Sequence, residues 1–564
     1  MADLRLRVGA GVVAAGLTLG VAELLAALFG PDSEPLNVLG KVVVDHTPDG
    51  VREWAITSFG TNDKTVLYIG MAIVAFLVAC LAGAVERTSR AAGSTILAAF
   101  GLITAAFALS RSGLTAALPV IIGVIAGIYA LRWLTTHIDT AETSAARTTE
   151  TPGTDPSAPQ STSATTQLTE TMDAHRGTDA TATGDTATPG SPVTTPAQTP
   201  SGSIPRTGAF ERRQVLRGIG ITAALAVAAG VGGRLLGAAR RDVSGERAAV
   251  DLPRPGGAPV SIAPEADLRV PGLTPYLTSN ADFYRIDTAL IVPQVSVDDW
   301  SLRIHGMVDR EIRLTWADLA NRQAVEKLVT LACVSNPIGG DLVGNAKWLG
   351  YRLDELIAEA GPHPDADMVL SHSADGWTAG SPLSVLTDGR DALLAVGMNG
   401  EPLPVQHGYP ARLVVPGLYG YVSATKWVTE LEITRFDRAT AYWTRRGWSA
   451  YGPIKTATRI DTPRARSRVS AGRIPIAGVA WAQHRGIRGV EVQIDNGPWQ
   501  PARLAADQSA DTWRQWIFDW DATPGAHTIR ARATDGTGET QTAERVDVIP
   551  DGATGYAQIP VQVA

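Results

Sequence analysis

The chain has 564 residues, a length that predicts about four domains. It is 45% hydrophobic and 19% charged, below the roughly 25% of charged residues in typical soluble domains. A formal net charge of -7 gives no basic excess, so we expect no nucleic-acid partner. Two cysteines, Cys80 and Cys333, exclude a disulfide scaffold and a zinc site built from cysteine clusters. A mean hydropathy of +0.04 indicates a mixture of very apolar and very polar segments.

Five apolar runs are long enough to cross a membrane. Each is close to the roughly 20 residues that a spanning helix needs, and each is rich in small and aliphatic residues that suit packing in lipid. The runs are 8–29, 65–85, 91–109, 114–133 and 219–236. We therefore predict four transmembrane helices within residues 1–137 and a fifth within residues 207–241. A signal peptide is a weaker alternative for the first run, because no cleavage site stands out against its many alanines.

Residues 138–206 change character completely. Thr, Ser, Pro, Ala and Asp dominate this segment, and large apolar side chains are almost absent. Such a composition cannot bury enough surface to offset the conformational entropy of the chain. We predict a disordered, flexible linker between the fourth and fifth spans.

The arginines near the apolar runs predict a topology. If all five runs span, one side of the membrane collects Arg5, Arg7, Arg87, Arg90, Arg132, Arg212, Arg213 and Arg217. The positive-inside rule makes this side cytoplasmic, so everything after about Arg241 is expected outside. Arg111, Arg240 and Arg241 lie on the opposite side and are a weaker signal against this topology.

Two further features of the apolar part bear on function. The pair Arg212-Arg213, just ahead of the fifth run, resembles a twin-arginine export signal in an internal position, with ordinary anchoring charges as the alternative. Glu23 is the one acidic residue inside a run, which predicts either a functional intramembrane carboxylate or an interfacial position. None of the five runs contains a histidine, which argues against a bis-histidine haem within them.

The remaining residues divide into two domains by pattern. Residues 242–440 mix strands with short helices, which is typical of an α+β domain. The predicted elements are strands at 301–306, 325–334, 412–415 and 427–433 and helices at 315–319 and 353–360. The pair Asn399-Gly400 between apolar segments predicts a hairpin turn. Residues 441–564 alternate short strands and turns, which predicts an all-β immunoglobulin-like sandwich without the paired cysteines of antibody domains.

Cys333 is the one cysteine in the part expected outside the cell. A buried, inert thiol is the ordinary interpretation of a lone cysteine. The polar, glycine-rich stretch that follows Cys333 argues for a different one, because a strand that enters such a loop displays its side chain at the mouth of a site. A thiolate there suits a soft or high-valent transition metal.

A second group combines His407, Arg412 and Lys426, which glycine-rich turns separate. Each of these residues alone is more often an ordinary surface or core residue. Together around one strand, they can surround an anion, with hydrogen bonds from the exposed backbone. The group therefore predicts a site for a phosphate or a pterin.

The two groups together resemble the sulfite oxidase family of molybdopterin enzymes. The matching motifs are Cys333-x-x-Asn336, Trp348-Leu349-Gly350, the block from His407 to Arg412, Lys426-Trp427, and the upstream segment 280–285. The predicted sandwich is similar to the C-terminal dimerisation domain of that family. The resemblance covers about residues 270 to 564.

The resemblance implies a molybdenum-molybdopterin cofactor with Cys333 as the protein ligand to the metal. It implies a catalytic centre of Cys333 and Arg285, with Trp377 on the substrate side. It implies cofactor binding by Asn280, Tyr284, Arg285, Ser373, His407, Arg412, Ser423, Thr425 and Lys426. Members of the family move an oxygen atom between molybdenum and a small substrate in a two-electron step, and one-electron carriers then reset the metal.

The chain departs from sulfite-oxidising relatives directly after the Cys-x-x-Asn motif. Those relatives carry two arginines there, and this chain has Pro337 and Ile338. The uncharged pair removes a strong attraction for a small dianion, which counts against sulfite as the substrate. No fused haem domain is visible, so the electrons are expected to go to a separate partner, a cytochrome or a quinone-linked protein. A homodimer through the C-terminal domain is also expected from the resemblance.

Two classes of function follow from the sequence. The first is a membrane-anchored, extracytoplasmic molybdenum oxidoreductase acting on a sulfite-like or sulfoxide-like substrate. The second is a catalytically inactive surface or interaction protein that uses its immunoglobulin-like domain. The presence of Cys333, Arg412 and Lys426 favours the enzyme. Because molybdopterin is inserted in the cytoplasm, the enzyme would be exported folded, which favours the twin-arginine interpretation of Arg212-Arg213. The first four helices either anchor the protein or dock a redox partner.

Overall fold

A computed structural model describes residues 2–30, 33–59, 63–149, 207–257 and 260–564. They form two compact units. The helical unit comprises Met1–Leu25 with Gly70–Gly233, and the β-rich unit comprises Ala26–Ile69 with Arg234–Ala564. Residues 150–206, most of the predicted linker, lie outside the described residues.

The described residues before residue 250 form eight helices. Their bounds are α1 Ala2–Phe29, α2 Pro35–His46, α3 Asp49–Phe59, α4 Asp63–Val85, α5 Ala92–Ser112, α6 Leu114–Thr149, α7 Thr207–Arg241 and α8 Ser244–Ala249. Five segments are long and apolar enough to cross a membrane, namely Leu4–Phe29, Lys64–Val85, Ala92–Arg111, Leu114–Thr143 and Arg213–Ala249. These segments correspond to the five predicted runs. The helices α2 and α3, between the first two spans, were not predicted.

The predicted linker start at residue 138 is wrong, because α6 continues to Thr149. A helix that has already formed gains a backbone hydrogen bond with each added residue, so a polar continuation costs little. Two threonine hydroxyls bond back along the helix, Thr140 Oγ1 to Thr136 O and Thr143 Oγ1 to Asp139 O, both at 2.8 Å. The low content of large apolar residues therefore did not prevent helix formation here.

The candidate spans in the structure are longer than the predicted runs and include further polar residues. The span Leu114–Thr143 contains His137, whose Nδ1 lies 2.8 Å from the carbonyl oxygen of Trp133. The same span contains Asp139 and Glu142, so Glu23 is not the one acidic residue within the spans. These polar residues lie after residue 133, where the predicted apolar run ends.

In the helical unit, α1 and α4 approach closely through glycine. A Cβ added to Gly11 would lie 2.2 Å from Ala79 O, and one added to Gly83 would lie 2.2 Å from Arg7 O. Small residues at such crossings let two helix backbones come into contact, which is how helices associate without a hydrophobic driving force. Gly11 and Gly83 therefore form a packing surface between these two helices.

Arg7 joins three of these helices at one end of the unit. Its side chain is 4% exposed and pairs with Asp139 Oδ1 at 2.5 Å and Glu142 Oε2 at 2.6 Å. It also donates to Glu86 O at 3.2 Å. The start of α1 thus lies beside the end of α4 and the C-terminal part of α6, as the predicted alternation of spans requires.

The β-rich unit continues with ten strands and four helices up to residue 434, in the α+β mixture that the sequence predicts. The strands are β1 Ser301–Gly306, β2 Ile312–Thr315, β3 Val325–Ala332, β4 Val343–Arg352, β5 Met368–Ser373, β6 Thr378–Pro382, β7 Leu393–Met398, β8 Glu401–Pro402, β9 Arg412–Val414 and β10 Val428–Thr434. The helices are α9 Trp316–Ala320, α10 Leu353–Ala360, α11 Leu383–Leu386 and α12 Gly420–Ser423.

These strands form two sheets. One has the order β2-β1-β10-β5-β6, in which β1 and β10 are parallel, and the other has the order β3-β4-β7-β8, with β9 paired to β7. The predicted strand 301–306 and helix 353–360 have the bounds observed for β1 and α10. The predicted Asn399-Gly400 turn joins β7 to β8, with φ values of 52° and 88° that suit a tight hairpin.

The C-terminal residues form two further sheets that share one core. The strands are β11 Ala457–Thr462, β12 Arg468–Val469, β13 Gly472–Trp481, β14 Ile487–Ile494, β15 Gln500–Pro501, β16 Arg503–Leu504, β17 Arg514–Ala522, β18 Gly525–Asp535 and β19 Ala557–Val563. Their orders are β11-β13-β17-β16 and β12-β19-β18-β14-β15. Trp516 and Ile529, one from each sheet, lie in the shared core. The immunoglobulin-like topology stays a prediction.

The C-terminal sheets are continuous with the core around the preceding sheets. Trp481 and Trp513 belong to the same buried cluster as Leu302 and Leu431. Hydrogen bonds reinforce this packing at β3, where Thr330 N donates to Asp511 O at 2.9 Å. The C-terminal part of the chain therefore holds β3, the strand that precedes Cys333, in place by core packing and hydrogen bonds.

Candidate active site

Cys333 directly follows β3 and begins the loop that leads to β4. Its thiol is free and 9% exposed, and its Sγ lies 2.9 Å from Ser335 Oγ. Asn336 Oδ1 closes the loop by accepting a hydrogen bond from Leu342 N at 3.0 Å. Burial raises the pKa of the Cys333 thiol, against the effect of the hydrogen bond with Ser335. The thiol is thus protonated in the absence of a metal, and binding a cation would displace its proton.

Tyr284 lies close enough to Cys333 and Arg412 for its phenol to interact electrostatically with both. Burial is the main cause that raises the pKa of Tyr284, so its hydroxyl is neutral and can donate a hydrogen bond. The ring stacks on Phe283 at 5.3 Å between centroids. Phe283 in turn packs edge to face against Trp348 at 5.7 Å. The aromatic residues therefore fix one wall beside the thiol.

Arg412, the first residue of β9, places a cation in this buried region. Its side chain is 5% exposed, and its guanidinium lies 5.1 Å from the ring centroid of Trp348. It donates to His407 O at 3.1 Å and Ala424 O at 3.4 Å. Burial lowers the pKa of Arg412 to about 10, so the group is still charged at neutral pH. Its hydrogen bonds within the described residues go to neutral carbonyl groups, which leaves its charge available for an anion.

His407 is buried and neutral. Its Nε2 lies 3.0 Å from Asn280 O, and since a carbonyl only accepts, Nε2 carries the hydrogen. Burial, followed by repulsion from Arg412, lowers the pKa of His407 to about 4. Asn280 itself donates to Glu401 Oε1 at 2.6 Å and accepts from Asn399 Nδ2 at 2.8 Å. His407 therefore holds the backbone of the predicted cofactor segment and adds no positive charge.

Lys426 and Arg285 meet at Asp287. Lys426 Nζ donates to Asp287 Oδ2 at 2.7 Å, and Arg285 Nε donates to the same oxygen at 2.8 Å. Burial lowers the pKa of Lys426 to about 8, although Asp287 raises it. The sequence analysis grouped Lys426 and Arg285 as cofactor residues but did not identify the carboxylate between them.

A close approach of the backbone brings Arg412 and Lys426 together. Gly408 has a φ of +113°, and a Cβ added there would lie 3.0 Å from Arg412 Cβ and 3.2 Å from the Lys426 backbone. A left-handed conformation and this lack of space both require glycine. The glycine in the block from His407 to Arg412 thus has a definite geometric role.

The predicted hydroxyl residues are occupied within the protein. Ser423 Oγ donates to Tyr419 O at 2.9 Å, and Thr425 Oγ1 lies 2.6 Å from Ser371 Oγ. These side chains are buried, so a ligand would meet the backbone of this segment, as the resemblance implies. Their assignment as cofactor residues stays a prediction.

Ser373 and Trp377 lie at the turn between β5 and β6. Ser373 N donates to Trp377 O at 2.9 Å, and Ala374 N donates to Trp427 O at 2.9 Å. The turn is therefore joined to the residue that follows Lys426. Trp377 is half-buried, and its predicted place on the substrate side stays a prediction.

Asp287, Asn399 and Lys64 belong to the site network and were missed by the sequence analysis. Asp287 follows Arg285 by two residues, so an acidic residue beside a predicted cation was the available signal. Asn399 was assigned to a turn, yet its amide also bonds Thr278 O at 2.9 Å and Asn280 Oδ1 at 2.8 Å. Nothing in the sequence marks Lys64, which bonds Asp287 at 2.9 Å.

The donor set fits a metal carried by an organic cofactor. Within the part of the chain that the structure describes, no group of three or more His, Cys, Asp and Glu side chains could hold a metal ion. A metal at Cys333 would therefore take its other ligands from a cofactor. Near Lys426, cations outnumber the single carboxylate Asp287, which suits the phosphate of molybdopterin.

Comparison with known proteins identifies the class of this site. Residues 289–443 match the family described as oxidoreductase molybdopterin binding domain. Human mitochondrial sulfite oxidase is 28% identical over 289 residues, which cover 43% of this chain and 52% of the relative. The uncharacterized oxidoreductase YuiH of Bacillus subtilis is 33% identical over 153 residues, which cover 27% of this chain and 74% of the relative. The chain spans about half the length of the mitochondrial sulfite oxidases that it matches.

The chain belongs to the sulfite oxidase family of molybdenum-dependent, molybdopterin-binding oxidoreductases. The predicted molybdenum-molybdopterin cofactor is thereby confirmed. Among solved structures, the sulfane dehydrogenase SoxCD from Paracoccus pantotrophus is 22% identical with a TM-score of 0.45, covering 56% of this chain and 94% of that chain.

Proposed function

We propose that the protein is a membrane-anchored, extracytoplasmic enzyme that transfers an oxygen atom to or from a small substrate in a two-electron step. One observation carries this proposal. The free thiol of Cys333 is buried at the end of β3, beside the neutral phenol of Tyr284 and near the cationic Arg412. Such a thiol is suited to ligate a metal in a site that excludes water.

In this proposal Cys333 is the ligand to molybdenum. When bound, the cofactor supplies the two-electron exchange and the metal centre. Arg412, Lys426 and Arg285 would hold the anion of the cofactor's side chain, and the neutral phenol of Tyr284 would offer a hydrogen bond close to Cys333. The other contacts to the pterin come from Asn280, Ser373, His407, Ser423 and Thr425, and Trp377 lines the substrate side.

A sulfoxide-like substrate suits this site better than a dianion such as sulfite. In the loop after Cys333, Pro337 is exposed and Ile338 is half-buried, and neither attracts an anion. We expect reduction of a small organic sulfoxide with a reduced viologen as the electron donor. Faster oxidation of sulfite with ferricyanide would contradict this substrate preference.

Several observations support the membrane anchor and the predicted topology. With both the first and the fifth run spanning, residues 30–63 and the residues after 241 lie on the same side. Accordingly, Arg241 Nη2 pairs with Glu34 Oε1 at 2.6 Å, and Arg446 Nη2 pairs with Asp45 Oδ1 at 3.1 Å. The charge of Arg241, which weakened the topology prediction, is thus compensated.

The paired arginines allow a test of the export route. If Arg212-Arg213 is a twin-arginine signal, the double substitution Arg212→Lys with Arg213→Lys should leave the catalytic domain in the cytoplasm. Protease accessibility on intact cells measures this directly. A domain that is still accessible after the substitution would leave only the anchoring role for these arginines.

Electrons would be exchanged with a separate partner, which is a cytochrome or a quinone-linked protein. The C-terminal domain, residues 441–564, would form a homodimer. Both expectations rest on the family resemblance. The boundaries of the catalytic domain, residues 242–440, belong to the same proposal. A second subunit in the purified protein would be detected by its mass in detergent.

The experiment that tests the enzyme is metal analysis of the full-length protein purified from a host that makes molybdopterin. We expect about one molybdenum per chain, lost in Cys333→Ser and kept in Cys80→Ser. Cys80 is the matched control because it is the other free cysteine. An absence of molybdenum from the unaltered protein would overturn the proposal and favour an inactive surface protein.

A further inference from the structure

The buried carboxylate of Asp287 receives three cations from three separate parts of the β-rich unit. Lys426 and Arg285 both donate to Oδ2, at 2.7 and 2.8 Å. Lys64 Nζ donates to Oδ1 at 2.9 Å and to Ala289 O at 2.7 Å. Arg285 reaches Oδ1 only through a longer bond of 3.4 Å. The two oxygens thus have different principal partners.

Lys64 comes from a part of the chain that the family match does not include. It is the first residue of the candidate span Lys64–Val85, whereas the family match covers residues 289–443. It lies 223 positions from Asp287 in sequence. A residue at the start of a membrane span therefore contributes directly to the network around Lys426.

Asp287 is ionised in this network. Its side chain is 5% exposed, against 30% for Lys64. Burial opposes ionisation, but Lys426, Arg285 and Lys64 together hold the pKa of Asp287 well below its usual range. Three cations around one carboxylate leave an excess of positive charge. A phosphate monoester carries about -1.5 to -2 charges at pH 7, which this excess can bind.

We propose that Lys64 is a positioning residue for the phosphate end of the cofactor. By holding Asp287 Oδ1, it fixes the rotation of the carboxylate, so that Oδ2 orients Lys426 and Arg285 toward the bound anion. This inference rests on the proposed cofactor site. It adds that the start of a membrane span takes part in retaining the cofactor.

Loss of Lys64 should change the site in a definite way. Without its donor, Oδ1 can rotate toward Lys426 and Arg285, and the carboxylate then competes with the phosphate for both cations. The cofactor would still bind through Cys333 and Arg412. Its phosphate end would be held less firmly, so its release would be faster.

The first experiment measures how fast the full-length holoprotein in detergent releases its pterin. We expect Lys64→Met to accelerate pterin release about five- to tenfold. In Lys64→Arg, which keeps the positive charge, the release rate should stay within about twofold of that of the unaltered protein. Lys455→Met is the matched control. Lys455 is 29% exposed and donates to Asp551 Oδ1 and Gly552 O, both at 2.7 Å, but lies outside the Asp287 network. Equal release rates in Lys64→Met and Lys455→Met would overturn the inference.

A double substitution tests whether Lys64 acts through Asp287. Asp287→Asn removes the carboxylate charge that would compete with the phosphate for Lys426 and Arg285. Adding Lys64→Met to Asp287→Asn should then change the rate by less than about twofold, because the group that Lys64 positions is already altered. Fully multiplicative effects would show that the two residues act independently, and the positioning role would be wrong.

A third measurement separates this inference from the proposed function. In the protein purified from a host that does not make molybdopterin, inorganic phosphate should raise the melting temperature. Lys64→Met should raise the phosphate concentration that gives half of this effect about threefold or more. If the unaltered protein holds no molybdenum but this dependence on Lys64 is found, the inference stands and the proposed function falls. If molybdenum is present and neither release nor phosphate binding depends on Lys64, the inference falls and the proposed function stands.

Discussion

The helical unit and the β-rich unit bring distant parts of the chain together by different contacts. In the helical unit, backbones touch where side chains are missing, as at Gly11 and Gly83, and the polar bonds of Arg7 add to these contacts at one end. In the β-rich unit, side chains reach across long sequence separations to bond backbone groups. Trp513 N donates to Thr330 Oγ1 across 183 positions, and Gln483 Nε2 donates to Thr330 O across 153.

This difference arises because the backbone groups of the two units find their hydrogen-bond partners in different ways. A helix satisfies its own backbone groups, so close contact of complementary surfaces is enough for helices to associate in lipid. A buried loop or strand end cannot do so, and other residues must supply the missing partners. The candidate active site contains such partners, since Arg412 and His407 both bond backbone carbonyl groups.

The largest effect is expected where one hydroxyl serves two distant partners. Thr330 Oγ1 accepts from Trp513 N at 2.8 Å and donates to Asn345 Oδ1 at 3.0 Å. Thr330→Val keeps the shape but leaves both buried groups without this partner. At about 1–3 kcal/mol for each unsatisfied group, we expect a loss of about 4 kcal/mol in unfolding free energy. Thermal unfolding of the detergent-solubilised protein measures it.

Thr540→Val is the matched control for that substitution. Thr540 is exposed, and its hydroxyl lies 2.9 Å from Thr534 Oγ1. Water can replace this partner, so the change should be within about 0.5 kcal/mol. A similar loss of unfolding free energy in both variants would mean that the long-range bonds of Thr330 stabilise the β-rich unit no more than an exposed, local bond does.

His407 provides a prediction about pH. Its pKa falls from 6.5 to about 4 in the folded protein, so between these values the unfolded state binds more protons. Stability therefore decreases as the pH falls through this range, by up to about 3 kcal/mol at pH 4. In protein purified from a host that does not make molybdopterin, we expect His407→Phe to show a flatter dependence of unfolding on pH between 6.5 and 4.

The control for the pH experiment is His363→Gln, which replaces a histidine whose side chain is 44% exposed. The comparison is made between the slopes of melting temperature against pH. Equal slopes for the unaltered protein and His407→Phe would show that His407 does not account for the acid sensitivity. The buried, neutral state assigned to its imidazole would then be wrong.

The two units also differ in how far sequence reasoning could describe them. Spans depend on composition over about 20 residues, so all five candidate spans were predicted. Their ends were less certain, because α6 continues through polar residues to Thr149. The hairpin at Asn399-Gly400 was predicted because a tight turn restricts the local residue types.

In the β-rich unit, the sequence could single out only those candidate residues that lie in a local motif. Cys333, Arg412 and Lys426 stand in recognisable segments. Lys64 is an ordinary lysine at the start of an apolar run, and only the fold brings it to Asp287. The role of a polar side chain that bonds a distant part of the same chain depends on which groups there lack partners. No local sequence pattern encodes this.

The smallest effect is expected in the helical unit, where one added methyl group tests the close approach of α1 and α4. A Cβ at Gly83 would lie 2.2 Å from Arg7 O and 2.8 Å from the backbone of Gly11, so Gly83→Ala must push the helices apart. Overpacking of this kind costs about 1–3 kcal/mol. Gly70, in the same helix, has no atom within 4 Å of such a Cβ, and Gly70→Ala should be neutral or stabilise the helix slightly. If both variants melt at the same temperature, glycine contacts do not hold this unit together, and the contrast with the hydrogen-bonded β-rich unit fails.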